Sequence, residues 1–307
     1  MIRDYDYVDE NENVIVMYDK MFPLYLIKGD KNFLMDSGVT TKGPEFHQKI
    51  QRVLEATGGN KEDGIQTLLL THSHWDHVGA SYYLQQQFNF NIYASKRTVE
   101  VLDKPKAIQF IDRLNQDYKK MLGDDSDLKF DRLTNIHPLN EGDRIPVTKG
   151  SYFEVIAAPG HTKCSTAYLL HPQRILFPGD SVGVLEQDGS IKPLFLSSYL
   201  QYIDSLKKLI TMEAETLAFS HNRFIKRKDK VAEHLRNSLN RTIKLKDHIL
   251  ALLETEGVKK VDDAVDVLKI AETIYLQEFP KPTLMGPREA LMINLEAMVN
   301  CIRRECL

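Results

Sequence analysis

Three cysteines in 307 residues, Cys164, Cys301 and Cys306, are too few for a disulfide framework. They suit a reducing compartment, and the cytoplasm is the expected location. No apolar run approaches the roughly 18–20 residues that span a bilayer, so no membrane partner is expected. The opening residues, MIRDYDYVDENENV, are acidic and carry neither a basic stretch nor an apolar one, which argues against a secretory signal or an arginine-rich transit peptide. Charge of one sign is missing as well: 40 basic residues face 43 acidic ones, a formal net charge of −3. Nucleic-acid binding relies on lysine and arginine neutralising phosphates, and this balance argues against it. Tryptophan occurs once, as Trp75, and histidine only ten times.

What is present reads as alternating strands and helices followed by helices alone. Apolar VIVMY at 14–18 and a hairpin around Gly29-Asp30 precede a helix that begins near Gly43-Pro44. That helix carries Phe46, Ile50, Val53 and Leu54 at helical spacing and stops at Gly58-Gly59. IQTLLL at 65–70 is a continuous apolar run, as in a strand buried on both faces. A helix is expected from Val78, then a strand NIYAS, then a helical insertion over about 96–133. YFEVIAAPG, TAYLLH, RILFPGD and TLAFSH read as further strands, with a helix at about 199–211. Beyond residue 228 three helices are expected: one from about 229, one over 261–278 and one from Pro287 to the end. This pattern implies an α/β body, residues 1–228, with a helical C-terminal extension, residues 229–307.

Three of the ten histidines lie within six positions, in THSHWDHVGA (71–80), directly after IQTLLL. Imidazole nitrogens and carboxylate oxygens are good ligands for zinc and neighbouring transition metals. In extended backbone His72 and His74, two apart, point the same way and can grip one ion. Asp76 and His77 follow where the chain turns into a helix, so they can converge on a second point nearby. The C-terminal edge of a buried strand is also where open α/β architectures place their sites. The isolated histidines His47, His137, His171, His234 and His248 read as structural or solvated.

HSHWDH resembles the H-x-H-x-D-H signature of the metallo-β-lactamase superfamily, whose members include glyoxalase-II-like and PqsE-like proteins. LMDSG at 34–38 is similar to an early motif of the family, and APGHTKCST at 158–166, LFPGDSV at 176–182 and LAFSHN at 217–222 to its later ones, in order and spacing. The resemblance covers roughly residues 14–228 and implies a four-layer αββα sandwich. It implies a binuclear site: His72, His74 and His161 on one divalent transition-metal ion, Asp76, His77 and His221 on the second, and Asp180 bridging. Zinc is the expected metal, with iron and manganese as alternatives. The nucleophile it implies is a hydroxide held between the ions, oriented by Asp76, which also moves its proton. Asp36 is read as a turn or supporting residue. Ser220 stands where the family often has glycine, and Lys163-Cys164-Ser165 where it often has Pro-Gly-Ser; Cys164 is read as a small residue packed under its loop. Trp75 either packs beside the site or lines a substrate pocket.

Fold and metal set do not choose among the reactions this family hosts. Apolar helices suit a small-molecule acyl ester or thioester substrate, with residues 229–307 expected to pack over the active site. The last helix, ALMINLEAMVNCI, is apolar on most of its circumference and therefore expected to be buried, against the body or in a homodimer. The alternatives are phosphodiester hydrolysis of the endoribonuclease kind, for which the basic run RFIKRKDK (223–230) is the one favourable stretch, and a metal-bearing regulator that acts through partner contacts.

Overall fold

The computed structural model describes residues 5–19, 21–58, 64–222, 224–279 and 288–307. Seven strands form the first sheet in chain order: β1 (Tyr5–Tyr7), β2 (Val14–Met17), β3 (Leu24–Ile27), β4 (Phe33–Met35), β5 (Thr67–Leu69), β6 (Asn91–Ser95) and β7 (Ile136–Leu139). The first four pair antiparallel, and β4 to β7 pair parallel. The crossovers between parallel neighbours are α1 (Gly43–Ala56), then α2 (Trp75–Val78) with α3 (Ser81–Phe88), then α4 (Lys96–Leu102) with α5 (Pro105–Leu122).

The second sheet holds β8 (Arg144–Thr148), β9 (Ser151–Ala157), β10 (Thr166–His171) and β11 (Ile175–Phe177). A two-stranded hairpin, β12 (Val184–Leu185) and β13 (Ile191–Lys192), and helix α6 (Tyr199–Thr211) lead to β14 (Thr216–Ala218) and β15 (Phe224–Lys226), which complete the sheet. Three helices end the chain: α7 (Lys228–Thr255), α8 (Val267–Glu278) and α9 (Arg288–Cys306).

Both sheets are covered on both faces, which is why their strands read as unbroken apolar runs. In β3, Leu24 and Leu26 face α1, α3 and α5, while Tyr25 and Ile27 face the other sheet. Between the sheets Val16, Phe33, Met35 and Leu69 meet Phe153, Tyr168, Leu170 and Phe177. The outer face of the second sheet is covered by α6 to α9 in one core, where Leu176, Leu206 and Leu217 pack with Leu235, Leu245, Leu295 and Ile302. A buried side chain of this size contributes roughly 1.5–3 kcal/mol, so that face folds only with its helical cover. The layers are helix, sheet, sheet, helix.

The structure differs from the sequence expectation in three places. The helical stretch expected over 96–133 ends at Leu122, because Gly123 takes the left-handed conformation (φ 68°) that closes a helix. Residues after it run back along α5 in extended form, held where the Lys119 ammonium donates to the carbonyls of Ser126 and Leu128. The helix expected from Val78 is two, α2 and α3, separated at Gly79-Ala80. The second C-terminal helix begins at Val267, where Asp266 caps it by accepting from the Lys269 N–H at 3.1 Å. Pro287 lies outside the described residues.

Candidate metal centre

Strands β9, β11 and β14 run in one direction, as do β4 and β5, and the loops at their C-terminal ends meet between the two sheets. Those loops carry Asp36 (after β4), His72 to His77 (after β5), His161 (after β9), Asp180 (after β11) and His221 (after β14). All seven side chains read from the sequence as ligands come together. His72, His74 and His161 form one triad, Asp76, His77 and His221 another, and Asp180 joins His72 and His77 in a third; within each, the ligand atoms lie within 4.8 Å of one another. Asp180 stands between the groups, with Oδ2 3.3 Å from His161 Nε2 and 3.5 Å from His77 Nε2, and Oδ1 3.4 Å from His221 Nε2. Asp76 Oδ2 lies 3.5 Å from His221 Nε2.

The outward nitrogens of four imidazoles are tied to the protein, which fixes which nitrogen faces inward. His77 Nδ1 donates to Asp36 Oδ2 (2.9 Å), His161 Nδ1 to the Leu194 carbonyl (2.8 Å) and His221 Nδ1 to the Met21 carbonyl (3.2 Å). Thr71 Oγ1 donates to Asp36 Oδ2 (2.8 Å) and so accepts from His72 Nδ1 (3.1 Å). His72 Nε2 and His77 Nε2 are left buried with no hydrogen-bond partner. His74 Nδ1 sits 3.0 Å from His161 Nε2. Buried orphan nitrogens and acceptors crowded this closely are costly unless a cation or proton lies between them, so the donor set fits metal ions.

The protonation of these groups follows from the same crowding. Burial, reinforced by neighbouring imidazoles, holds His72 well below the ordinary histidine range and pushes His74 down to about 3. Burial also lowers His161, although Asp180 pulls the other way. For His77 burial is outweighed by the carboxylates of Asp180, Asp36 and Asp76, and its pKa is raised. His221 is raised likewise, by Asp180 and Asp76 against burial. Asp180 is held well below the carboxylate range, where His221 and His77 overcome its burial. Burial thus favours the neutral, metal-binding form of the first triad, whereas the carboxylates around His77 and His221 favour the protonated form of those two.

Two glycines hold the loops close. Gly179, at φ 55°, brings Asp180 against Thr71, where a Cβ would lie 2.9 Å from the threonine Cβ. Gly160, at φ 127°, lies against the start of α6; a Cβ there would meet the Tyr202 backbone at 2.3 Å. Its carbonyl also accepts from the N–H groups of Ser197 and Ser198. Gly160→Ala is expected to cost about 3 kcal/mol or more, from strained backbone and overpacking together. Urea unfolding of the variant against the natural protein checks this; a loss under about 1 kcal/mol would show that the loop relaxes around the methyl group.

Cys164 is buried outside the cluster, with Sγ 3.2 Å from Thr162 Oγ1 and 3.4 Å from Ser73 Oγ. The five remaining histidines lie elsewhere: His171 pairs with Glu154 and His248 with Glu278, both at 2.9 Å. His234 packs edge-on to Phe219, His47 edge-on to Phe88, and His137 lies against Tyr93. Sequence reasoning missed the two backbone carbonyls that orient His161 and His221, since an acceptor on the main chain has no residue-type signature. It also missed α5. Asn115, buried on that helix, accepts from the Thr40 N–H (2.8 Å) and donates to the Trp75 carbonyl (3.2 Å), clamping α5 to the ligand loop. Among the described residues no helix is long and apolar enough to cross a membrane.

Comparison with known proteins agrees with this geometry. A metallo-β-lactamase fold-containing protein of Sulfurisphaera tokodaii, ST1585, is 24% identical over 236 residues, 73% of this chain and 81% of that one. The hydroxyacylglutathione hydrolase GloC of Haemophilus influenzae is 30% identical over 156 residues; the match covers 50% of this chain and 63% of that enzyme. Among solved structures, the metallo-β-lactamase family protein TTHA1429 of Thermus thermophilus shares the fold, with a TM-score of 0.63 at 19% identity over 95% of this chain and 89% of that one. The sequence profile of the superfamily itself matches residues 24–221, a span that begins in β3 and ends on His221, the last of the clustered side chains. The chain belongs to the metallo-β-lactamase superfamily.

Proposed function

We propose that the protein is a binuclear metal-dependent hydrolase of acyl esters or thioesters, with His72, His74 and His161 holding one ion, Asp76, His77 and His221 the other, and Asp180 bridging. The observation that carries this reading is the pair of converging triads with Asp180 standing between them, and with the inner nitrogens of His72 and His77 buried without a hydrogen bond. Five imidazoles and two carboxylates suit zinc, and iron or manganese would also be accepted. Two such ions supply Lewis acidity toward a carbonyl oxygen and activate water for attack.

The rest falls to the chain's own side chains. Ser73, His74, Trp75 and Asp76 are the part of the ligand loop that solvent reaches, and they define the side from which a substrate enters. Asp76 is placed to orient the attacking water and take its proton. An acyl thioester is favoured because GloC, by its name, hydrolyses hydroxyacylglutathione. In the same proposal residues 229–307, expected from the sequence to pack over the site, support it from behind through the outer face of the second sheet. Ser238 on α7 donates to the Val182 carbonyl at 2.7 Å, two residues after Asp180, and Lys192 of the following hairpin donates to the Glu278 carbonyl at 2.6 Å.

The test is elemental analysis of protein expressed in metal-supplemented medium, then a panel of thioester, ester, lactone and bis-p-nitrophenyl phosphate substrates on the same sample. About two transition-metal ions per chain are expected, with acyl turnover well above phosphodiester turnover. Turnover of the phosphodiester alone would assign the chain to the other branch, and a metal-loaded protein inert to all four would sink the hydrolase reading.

A further inference from the structure

Helix α5 buries one edge in the body through Ile111, Asn115 and Lys119. Its apolar residues extend well past that edge. Phe110, Leu114 and Tyr118 follow one another at i, i+4 spacing on a neighbouring stripe, with Phe110 51% exposed and Met121, one turn beyond Tyr118, 54% exposed. A helix supported by its body alone would carry polar residues there.

The stripe does not end in solvent. The Tyr118 ring packs against Trp75 (centroids 5.3 Å apart) and edge-on to Phe22 (6.1 Å), and Phe22 is in turn edge-on to His221 (5.9 Å). Trp75 lies between His74 and Asp76 in the ligand loop. An apolar series therefore runs from Trp75 in the ligand loop, over Tyr118 with Phe22 buried beneath it, onto Leu114 and Phe110, whose ring the Arg113 guanidinium flanks 5.1 Å from its centroid. Eight residues of helix separate Tyr118 from Phe110, a rise of roughly 12 Å. The Asn115 clamp makes this wall rigid with respect to the ligands.

We propose that this face of α5 is the acyl-binding wall of the site and that it selects substrates with a long apolar acyl chain, seated along Tyr118, Leu114 and Phe110 with its carboxyl end at the metal cluster. The proposal rests on the acyl-hydrolase reading for its substrate class. Continuity with the cluster is what favours an acyl chain over a second copy of the protein as the occupant. Burial of a methylene is worth about fourfold in affinity, and a helix face that covers the chain on one side should recover about half of that on a logarithmic scale, roughly twofold per carbon.

The chain's single tryptophan is part of this wall, so its fluorescence reports occupancy without any turnover. Metal-replete protein is titrated with sodium octanoate, decanoate and dodecanoate while Trp75 emission is followed. A saturable shift is expected, tightening about twofold per added methylene. Phe110→Glu should weaken dodecanoate at least about tenfold, because it sets a carboxylate against the chain. Leu276→Glu, at a leucine 70% exposed on α8, should leave dodecanoate affinity unchanged. The absence of a saturable response, equal affinity in the Phe110 variant, or an equal loss in the Leu276 variant would each overturn the proposal. Dissociation of a dimer by Phe110→Glu with dodecanoate affinity intact would do so too, and would assign the face to a second copy. Dodecanoate bound on α5 by a protein that hydrolyses neither ester nor thioester would instead count against the hydrolase reading and leave the wall standing.

Discussion

Replacing His161 with alanine is expected to strip metal from the protein and abolish hydrolysis while leaving the fold in place. His161 reaches the cluster from the loop after β9, and its Nε2 lies 3.0 Å from His74 Nδ1 and 3.3 Å from Asp180 Oδ2. It therefore touches both the first triad and the residue between the triads. Removing an outer partner of a metal ligand costs roughly 10- to 100-fold in affinity, and loss of a ligand should exceed that. Hydrolysis should fall by more than the roughly 10²–10³-fold that one charge-stabilising donor commands. The fold should survive because the side chain belongs to no apolar core cluster; outside the cluster of polar side chains it is held by the hydrogen bond to the Leu194 carbonyl. Metal content by elemental analysis, activity on the best acyl substrate and circular dichroism are measured on one preparation. Full activity in a metal-free His161→Ala protein would remove the metal from the reaction altogether.

The legibility of this site in the sequence follows from what kind of atom does each job. Ligation needs imidazole or carboxylate, which only a few residue types supply, so His72, His74, Asp76 and His77 stand out by type and spacing, while His161, Asp180 and His221, far apart in the chain, are found only through the family resemblance of their motifs. Orientation is done partly by main-chain carbonyls, at Leu194 and Met21, which any residue offers. Asp36 is intermediate: it reads as a turn residue, and the structure shows it at φ 54°, accepting from His77 Nδ1 and from both the N–H and the hydroxyl of Thr71. The sheets were readable where a strand is long or flanked by turn residues, as in β3, β6 and β10. β12 and β13, of two residues each, are too short to show any period. The end of α5 was lost for another reason. Gly123 stops the helix, yet Leu128 and Phe130 continue an apolar spacing that extended chain packing back on a helix also satisfies. In α9 the nearly all-apolar circumference holds for Leu291, Leu295, Met298 and Ile302, which are buried, while Ile293 remains 66% exposed.

Asp76→Asn isolates the chemical step from the assembly of the site. The two side chains have the same shape, and the amide keeps one oxygen able to face a cation, so the loop after β5 has no steric reason to move. What the amide lacks is the ability to take a proton. Asp76 is suited to that task by position: its Oδ2 is 3.5 Å from His221 Nε2 and 4.0 Å from His77 Nε2, and its side chain keeps 18% of its surface open where most of the cluster is sealed. A carboxylate that met the cluster alone could be buried like Asp180; one that must also meet water has to stay partly open. If Asp76 accepts the proton of the attacking water, kcat should fall by about 10²–10⁴-fold, the usual contribution of a positioned general base. KM should change little, because the interaction is made in the transition state and not on binding. The thermal midpoint should stay close to that of the natural protein, and metal content, measured on the same sample, separates loss of proton transfer from loss of a ligand. A variant that keeps its metal and loses kcat assigns the proton to Asp76, whereas unchanged kcat across the pH range would reduce Asp76 to a structural support of the ligand loop.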